Sequence, residues 1–514
     1  MSVKNRRITW SLSCAFATVA VLNACGGGGG GTAQAAAVSD EGPVTAPSTS
    51  PSPAPAPAPV SSGVISASLA ATRVSGTAPL AVQFDATGTT STTSGVDTFR
   101  QVTYSFNFGD DRGLTWAISG QPKNTQVGGP LAAHVFDNPG TYTVTLTATD
   151  SSGNASSKTV TITVADPASV YSGTKTVCVS PSSNFSGCPS GSATQTSLPS
   201  GTAWNGKRVL LHRGETFGDI SIQDGNSGVQ VAPYGTGNKP AVGTVNVGNW
   251  RPSTANFASD VTVMDMNVKN SMQQSLGQRV LFYRNDVQVT AGSGGIMMSM
   301  GEEDFWYRGD ASRVVAQSAF YNAREIFIVE NNALGANTVD ALVGFWGSGA
   351  RSAVMGNSFG KYQQHSARIS GLYKGVVAHN EMRGISSDGI RVALKLHSMG
   401  LNAYADGSIN DTSGTGGWAT NQVVIANNVF GSTSDNNAWT VAVAPQNDVY
   451  AEGIENVILE NNRFVRGSKT STDLVIGGRK ITYRKNTTAS GAALIVGDDK
   501  GALPTSWVGP NFAQ

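Results

Sequence analysis

The chain has 514 residues, of which 61 are Gly, 21 Pro and only four Cys, and charged residues make up 13%. A formal net charge of +1 excludes a basic nucleic-acid scaffold and an acidic disordered tail. High Gly with few charges and short apolar runs fits an all-β chain of two or more domains and excludes a helical bundle.

Lys4, Arg6 and Arg7 precede a mostly apolar run from Ile8 to Leu22. Residues 1–25 thus have the layout of a signal peptide, too short and too rich in Ser and Thr for a membrane span. The segment ends in Leu22-Asn23-Ala24-Cys25, which resembles the lipobox of bacterial lipoproteins. That resemblance implies a lipidated Cys25 and a place in the cell envelope, on the outer membrane or secreted. Residues 26–63 are Gly-rich, then Ala/Ser-rich, then Pro-rich, with Pro51, Pro53, Pro55, Pro57 and Pro59 alternating. Such a stretch buries too little surface to fold and reads as a disordered tether.

Residues 64–166 carry alternating apolar runs at Leu80–Phe84, Val102–Phe108, Tyr142–Ala148 and Val160–Val164, separated by turn residues such as Asn138-Pro139-Gly140. This predicts a small β-sandwich. The run Tyr104-Ser105-Phe106-Asn107-Phe108-Gly109-Asp110, with His134-Val135-Phe136 through Pro139-Gly140-Thr141-Tyr142-Thr143-Val144, resembles a PKD domain. In that family such domains are mostly spacers or glycan-binding modules, and His134 is structural.

From residue 170 to 514 a short β-branched run ending in Asn recurs. Its copies end at Asn332, Asn357, Asn380, Asn428, Asn462 and Asn486, with separations of 25, 23, 48, 34 and 24. A coil of about 24 residues, with 48 as two coils and 34 as a coil plus a loop, predicts a β-solenoid. Asn suits the repeat because its amide stacks in ladders and it tolerates the left-handed turn between strands. The repeat, with Leu210-Leu211-His212-Arg213-Gly214-Glu215-Thr216-Phe217 at its entry, resembles right-handed parallel β-helices of the pectate-lyase-like group. That group contains lyases, hydrolases, epimerases and adhesins, so the resemblance implies a polysaccharide partner and leaves the activity open. A monomer is expected.

Cys178 and Cys188 lie ten apart in a Ser/Pro/Gly-rich loop without His or acidic neighbours, so an exported chain is expected to join them in a disulfide.

In a solenoid, residues at equal offset in neighbouring coils stack at about 4.8 Å. Counting from Asn332, Asn357, Asn380 and Asn428, the eighth residue is Asp340, His365, Asp388 and Asn436, and the eleventh is Val343, Arg368, Arg391 and Trp439. The two rows would share a face only if a bulge lies between them. Lys395 and His397 alternate with Leu394 and Leu396 and therefore share one strand face. A surface salt-bridge ladder is the bland alternative to a sugar cleft. Trp306, Tyr307, Trp346 and Trp418 are either stacking platforms or core.

Two mechanisms fit these residues. In β-elimination on a uronate, Arg368 and Arg391 would grip the carboxylate, His365 or Lys395 would remove the C5 proton, and His397 would assist the leaving oxygen. Asp340, Asp388, Arg391 and Trp439 would contact substrate. Resemblance to lyases of this fold implies that Asp340 and Asp388 ligate calcium. Inverting hydrolysis would instead use Asp340 and Asp388, whose backbones would be about 9.6 Å apart two coils on. A non-catalytic glycan-binding adhesin is the third reading. Zinc-type Cys/His spacing, phosphate loops and basic nucleic-acid stripes do not occur.

Overall fold

The structure is a computed structural model. It describes residues 63–249, 257–275, 277–288, 296–300, 324–333, 343–360, 365–383, 392–397, 401–403, 416–418, 420–433, 439–444, 454–468, 470–498 and 512–513. Cys25 and almost all of the signal and tether segments lie outside the described residues, as do Asp340, Asp388 and Arg391.

The first body is a sandwich of two antiparallel-dominated sheets. One runs in the order Ser75–Thr77, Ala155–Ala165, Gly140–Thr149, Thr103–Asn107, Thr125–Gly128, and the other is Ala70–Ala71, Leu80–Asp85, Leu131–Phe136. Alternation places Val82, Phe84, Tyr104, Phe106, Val144, Leu146 and Ile162 in the space between them. His134 is buried there, its Nε2 3.0 Å from Asp110. Its ring stacks on Phe108 at 4.6 Å between centroids. It is structural, as its place in the sequence implied.

The second body is a right-handed parallel β-helix. Each coil contributes a strand to one face, a left-handed turn, a two- or three-residue strand, a loop, and a strand on another face. All ladders between coils are parallel, as in Val377↔Ile425 and Ile425↔Leu459. Val263, Phe282, Ile328, Phe345, Ile369, Leu396, Ile425 and Leu459 fill the bore. The disulfide Cys178–Cys188, with Cα atoms 6.0 Å apart, ties the loop at the entrance.

One corner is locked by a buried asparagine ladder. Asn285, Asn331, Asn357, Asn380, Asn428, Asn462 and Asn486 follow one another, each donating its backbone N–H and its Nδ2 to Oδ1 of the next at 2.8–3.0 Å. The second amide hydrogen goes to a backbone carbonyl of the previous coil, Ile328 O for Asn357 and Val377 O for Asn428. The residue before each ladder Asn is left-handed, from Arg284 and Glu330 to Asn461 and Lys485. Each non-Gly residue held so costs roughly 1 kcal/mol, and the saturated amides outweigh that.

This geometry corrects two spacings. The ladder residue at the 328 repeat is Asn331, while Asn332 is exposed and pairs with Ser358 in the short-strand sheet. The 48-residue interval is not two coils, because Asn380 bonds directly to Asn428. It is one coil carrying a long insertion.

The sandwich is not a detached neighbour of the helix. Leu131–Phe136 is buried at every position: Ala132 and Phe136 point into the sandwich, whereas Leu131, Ala133 and Val135 join Ala81, Phe99 and Trp116 on the outside of the helix. There they meet Leu281, Tyr283, Phe327, Val329, Met355, Val376, Val424 and Ile458. Polar pairs frame the contact. Lys374 Nζ lies 2.5 Å from Asp85, Tyr283 donates to Asp137 at 2.7 Å, and Gly129 N–H donates to Glu460 at 2.6 Å. His379, which belongs to a repeat turn, stacks on Trp116 at 4.7 Å and meets Ser119 Oγ through Nδ1 at 2.8 Å.

Two outcomes follow from the packing. Asn357→Ala leaves the N–H of Asn331 and one of its two Nδ2 hydrogens without an acceptor, so the variant should lose about 3 kcal/mol of stability. Asn332→Ala, exposed one residue from the ladder, should stay within about 0.5 kcal/mol in the same denaturant titrations. Equal losses would return the ladder to position 332. Burial, and after it the charge of Lys123, pushes the His379 imidazole down to about 3. The unfolded chain takes up that proton near about 6.5, so the contribution is complete above about 6.5 and drains away as pH falls toward 3. His379→Asn tolerates the left-handed backbone (φ 60°) and cannot titrate. Its melting-temperature deficit relative to the parent should therefore shrink between pH 7 and pH 4, and a constant deficit would show that His379 is not held neutral.

Candidate active site

The face carrying Ile296–Met300, Val343–Ala350, Leu394–His397 and Trp439–Val443 is a different face of the coil from the one the sandwich covers. The strand His365–Ala378 serves both. Its first part pairs with Leu394–His397 and its second with Thr420–Ala426. A bulge opposite Gly347/Gly349 and a left-handed Gly371 (φ 62°) turn it from one face to the other, a role suited to residues without a Cβ.

Alternation sets the site. Phe345, Ala367, Ile369, Leu394 and Leu396 enter the bore, so Trp346, Arg368, Lys395 and His397 fall on the outer side. The register aligns Ser299, Trp346, Arg368 and Lys395 as one row, Trp346↔Arg368 and Arg368↔Lys395 being direct partners. The Arg368 guanidinium lies over the Trp346 indole, 4.4 Å from its centroid. Arg368 Nε donates to His397 Nε2 at 2.9 Å. Arginine has no acceptor, so His397 accepts there and carries its proton on Nδ1. The His397 carbonyl accepts from Thr420 Oγ1 at 2.6 Å, which ties this corner to the next strand.

Arg368 is 7% exposed and His397 fully buried. The guanidinium is thus a largely buried planar cation, held over an indole and fixed through Nε by a buried imidazole, with a lysine level with it on the next strand.

The structure thus unites Arg368, Lys395 and His397, and adds Trp346 as the platform. The row expected from equal offsets is corrected. Val343, not Asp340, is level with His365; Arg368 is level with Trp346 and Lys395; Trp439 is level with Thr472. The reason is the loop after each ladder Asn. The row lies 15 residues beyond Asn331, 11 beyond Asn357, 15 beyond Asn380 and 14 beyond Asn428. His365 does not join the cluster by register: its Nδ1 rests 3.3 Å from both O and N of Val392. Trp439 is 37% exposed. Asp340, Asp388 and Arg391 fall outside the described residues, as do Trp306 and Tyr307. Among the described residues no group of three or more His, Cys, Asp or Glu is placed to hold a metal ion.

Residues 67–164 match the family of the PKD domain. No curated protein matches the chain by sequence. Among solved structures, the chain is similar to the A-module of the Azotobacter vinelandii mannuronan C-5 epimerase AlgE6, at 11% identity and TM-score 0.31, over 55% of this chain and 90% of that one. It is similar also to a Yersinia enterocolitica family 28 exopolygalacturonase, at 8% identity and TM-score 0.29, over 85% and 96%. A third is the catalytic domain of a GH87 α-1,3-glucanase, at 11% and 0.26, over 87% and 96%.

If His397 orients Arg368, the conservative change should keep the guanidinium in place. His397→Gln keeps an acceptor for Arg368 Nε and should hold retardation by a carboxylated polysaccharide in affinity electrophoresis near the parent value. His397→Ala should weaken it about tenfold. Equal behaviour of the two variants would rule out the orienting role.

Proposed function

We propose that the protein is an exported polysaccharide lyase, held at the cell envelope through a lipid on Cys25, that cuts uronate-containing chains by β-elimination. The observation that carries this reading is the Trp346–Arg368–Lys395 row with His397 behind it.

The chemistry asks for two things. A uronate C5–H becomes acidic only when charge on the C6 carboxylate is neutralised, and a base must then reach that hydrogen. Arg368 supplies the neutralising charge and the geometry. Lys395 serves in this reading as the base once its amine has lost a proton, and its register pairing with Arg368 on the adjacent strand supports that role. The electron pair of the C5–H bond moves into the C4–C5 double bond as the C4–O bond breaks, the C5 proton passes to the Lys395 amine, and the leaving oxygen takes up a proton from solvent water. His397 has its Nε2 engaged by Arg368, so its role here is to position the guanidinium rather than to serve the leaving oxygen. Trp346, stacked beneath the cation, limits its movement.

The test is absorbance at about 235 nm, which only elimination generates, during incubation with a panel of acidic polysaccharides. Arg368→Ala and Lys395→Ala should each cut the rate on the responding polymer by about a hundredfold or more, in protein whose far-UV circular dichroism still reports the folded β-helix, since Arg368→Ala also strips the buried His397 of its donor. New reducing ends without the absorbance would make the protein a hydrolase. Binding without either signal would make it an adhesin.

A further inference from the structure

A second site lies at the seam between sandwich and helix, away from the row just described. A cavity of about 510 Å³ opens there, lined among others by Arg73, Tyr171, Lys175, Gln230, Asp260 and Arg279. Arg73 and Arg279 share the Asp260 carboxylate, and Glu325 adds its charge to both from the helix side. Arg279 uses Nε and Nη2 on Asp260, both at 2.8 Å, and Arg73 Nη1 sits 3.5 Å from the same group. Lys175 is exposed at the mouth.

Two of the residues lining the cavity carry a buried polar atom without a partner among the described residues. One is a donor, Arg73 Nε, and the other an acceptor, Gln230 Oε1. Gln230 cannot simply turn over, because its Nε2 donates to Ala78 O at 2.9 Å and so helps pin sandwich to helix. Leaving such atoms unpaired is costly, about 1–3 kcal/mol each. Burial also draws Arg73 below the ordinary arginine range, a cost that an anion in the cavity offsets. The complementary ligand therefore carries a negative group for Arg73 and Lys175 and, beside it, a hydroxyl to donate to Gln230. A sugar acid has both. A bare inorganic anion such as sulfate lacks the donor. The Tyr171 ring, fixed by a hydroxyl bond to Gly228 O at 3.2 Å, supplies an apolar wall for the C–H face of such a ring.

We infer that the sandwich–helix seam is a non-catalytic binding site for an acidic sugar unit, held by Arg73, Lys175 and Gln230. It shares with the proposed lyase reaction only the acidic character of the ligand, and it stands whether or not that reaction occurs.

The experiment is calorimetric titration of the full chain carrying Arg368→Ala and Lys395→Ala, which disables the other face. The probes are a galacturonate hexamer, a neutral glucose hexamer of equal length, and sodium sulfate. The acidic hexamer should bind at one site, the neutral one should not, and sulfate should fail to displace it at equal concentration. Lys175→Glu, at an exposed position that leaves folding intact, should weaken the acidic hexamer at least about tenfold, and Arg73→Gln should do the same. Four results would overturn the inference: no binding in the disabled background, no effect of Lys175→Glu, equal binding of the neutral hexamer, or displacement by sulfate mole for mole. Failure of the lyase reading would appear separately, as missing 235 nm absorbance in the parent protein.

Discussion

From Asn285 onward each coil of the helix is held to the next by one amide at one corner. From Asn285 to Asn462 each backbone N–H and one Nδ2 hydrogen are bound by the next asparagine of the stack. Removing one member leaves its neighbours short of partners in a dry interior, where the cost is greatest. The ladder therefore pins the register of the adjoining strands absolutely, while the loops that follow are free to differ in length. That freedom is what the site face uses. The row of Trp346, Arg368 and Lys395 is assembled by loops of unequal length that deliver each strand to the same level.

The covered face obeys a second constraint. Its outward positions are apolar, Leu281, Phe327, Met355, Val424 and Ile458 among them, and an exposed stripe of that kind would be an association hazard. The sandwich solves this by giving up the usual polar side of Leu131–Phe136. Its alanines allow close approach, Trp116 fills the space over His379, and the charged pairs Lys374–Asp85 and Arg284–Asp265 sit at or near the rim. Burial of large apolar side chains at about 1.5–3 kcal/mol each makes the sandwich part of the helix's own stability.

Much of this was legible in the residues. Strand–turn–Asn runs at intervals near 24 announce a solenoid, the aromatic alternation of residues 104–108 announces the sandwich, and Lys395 with His397 share a face by simple parity. What stayed hidden has physical causes. In Asn427-Asn428 and Asn461-Asn462 the second residue enters the ladder, but in Asn331-Asn332 the first does, because the left-handed residue there is Glu330. An insertion as long as a coil looks like a coil when only spacing is counted. Leu80–Asp85 and Leu131–Phe136, buried on both sides, read as ordinary core strands, since nothing in a short apolar run says which second body covers it. Trp346 was visible only as one aromatic among several, and its partnership with Arg368 depends on the register across strands.

The two faces divide the work for a reason that lies in the backbone. A strand can bend between faces only where side chains do not obstruct the turn, and His365–Ala378 does so at Gly371, three residues past Arg368. On one side of that bend the outer residues are Arg368 and its neighbours, partly wet and charged. On the other they are Val376 and Ala378, dry and pressed against the sandwich. A covered half and the half that carries Arg368 thus belong to one strand, and displacement of the sandwich would be felt at Arg368 through one continuous backbone. The seam cavity lies on the covered side, where Gln230 both pins the sandwich and faces the empty space. A ligand there would reinforce the contact that holds the strand in place.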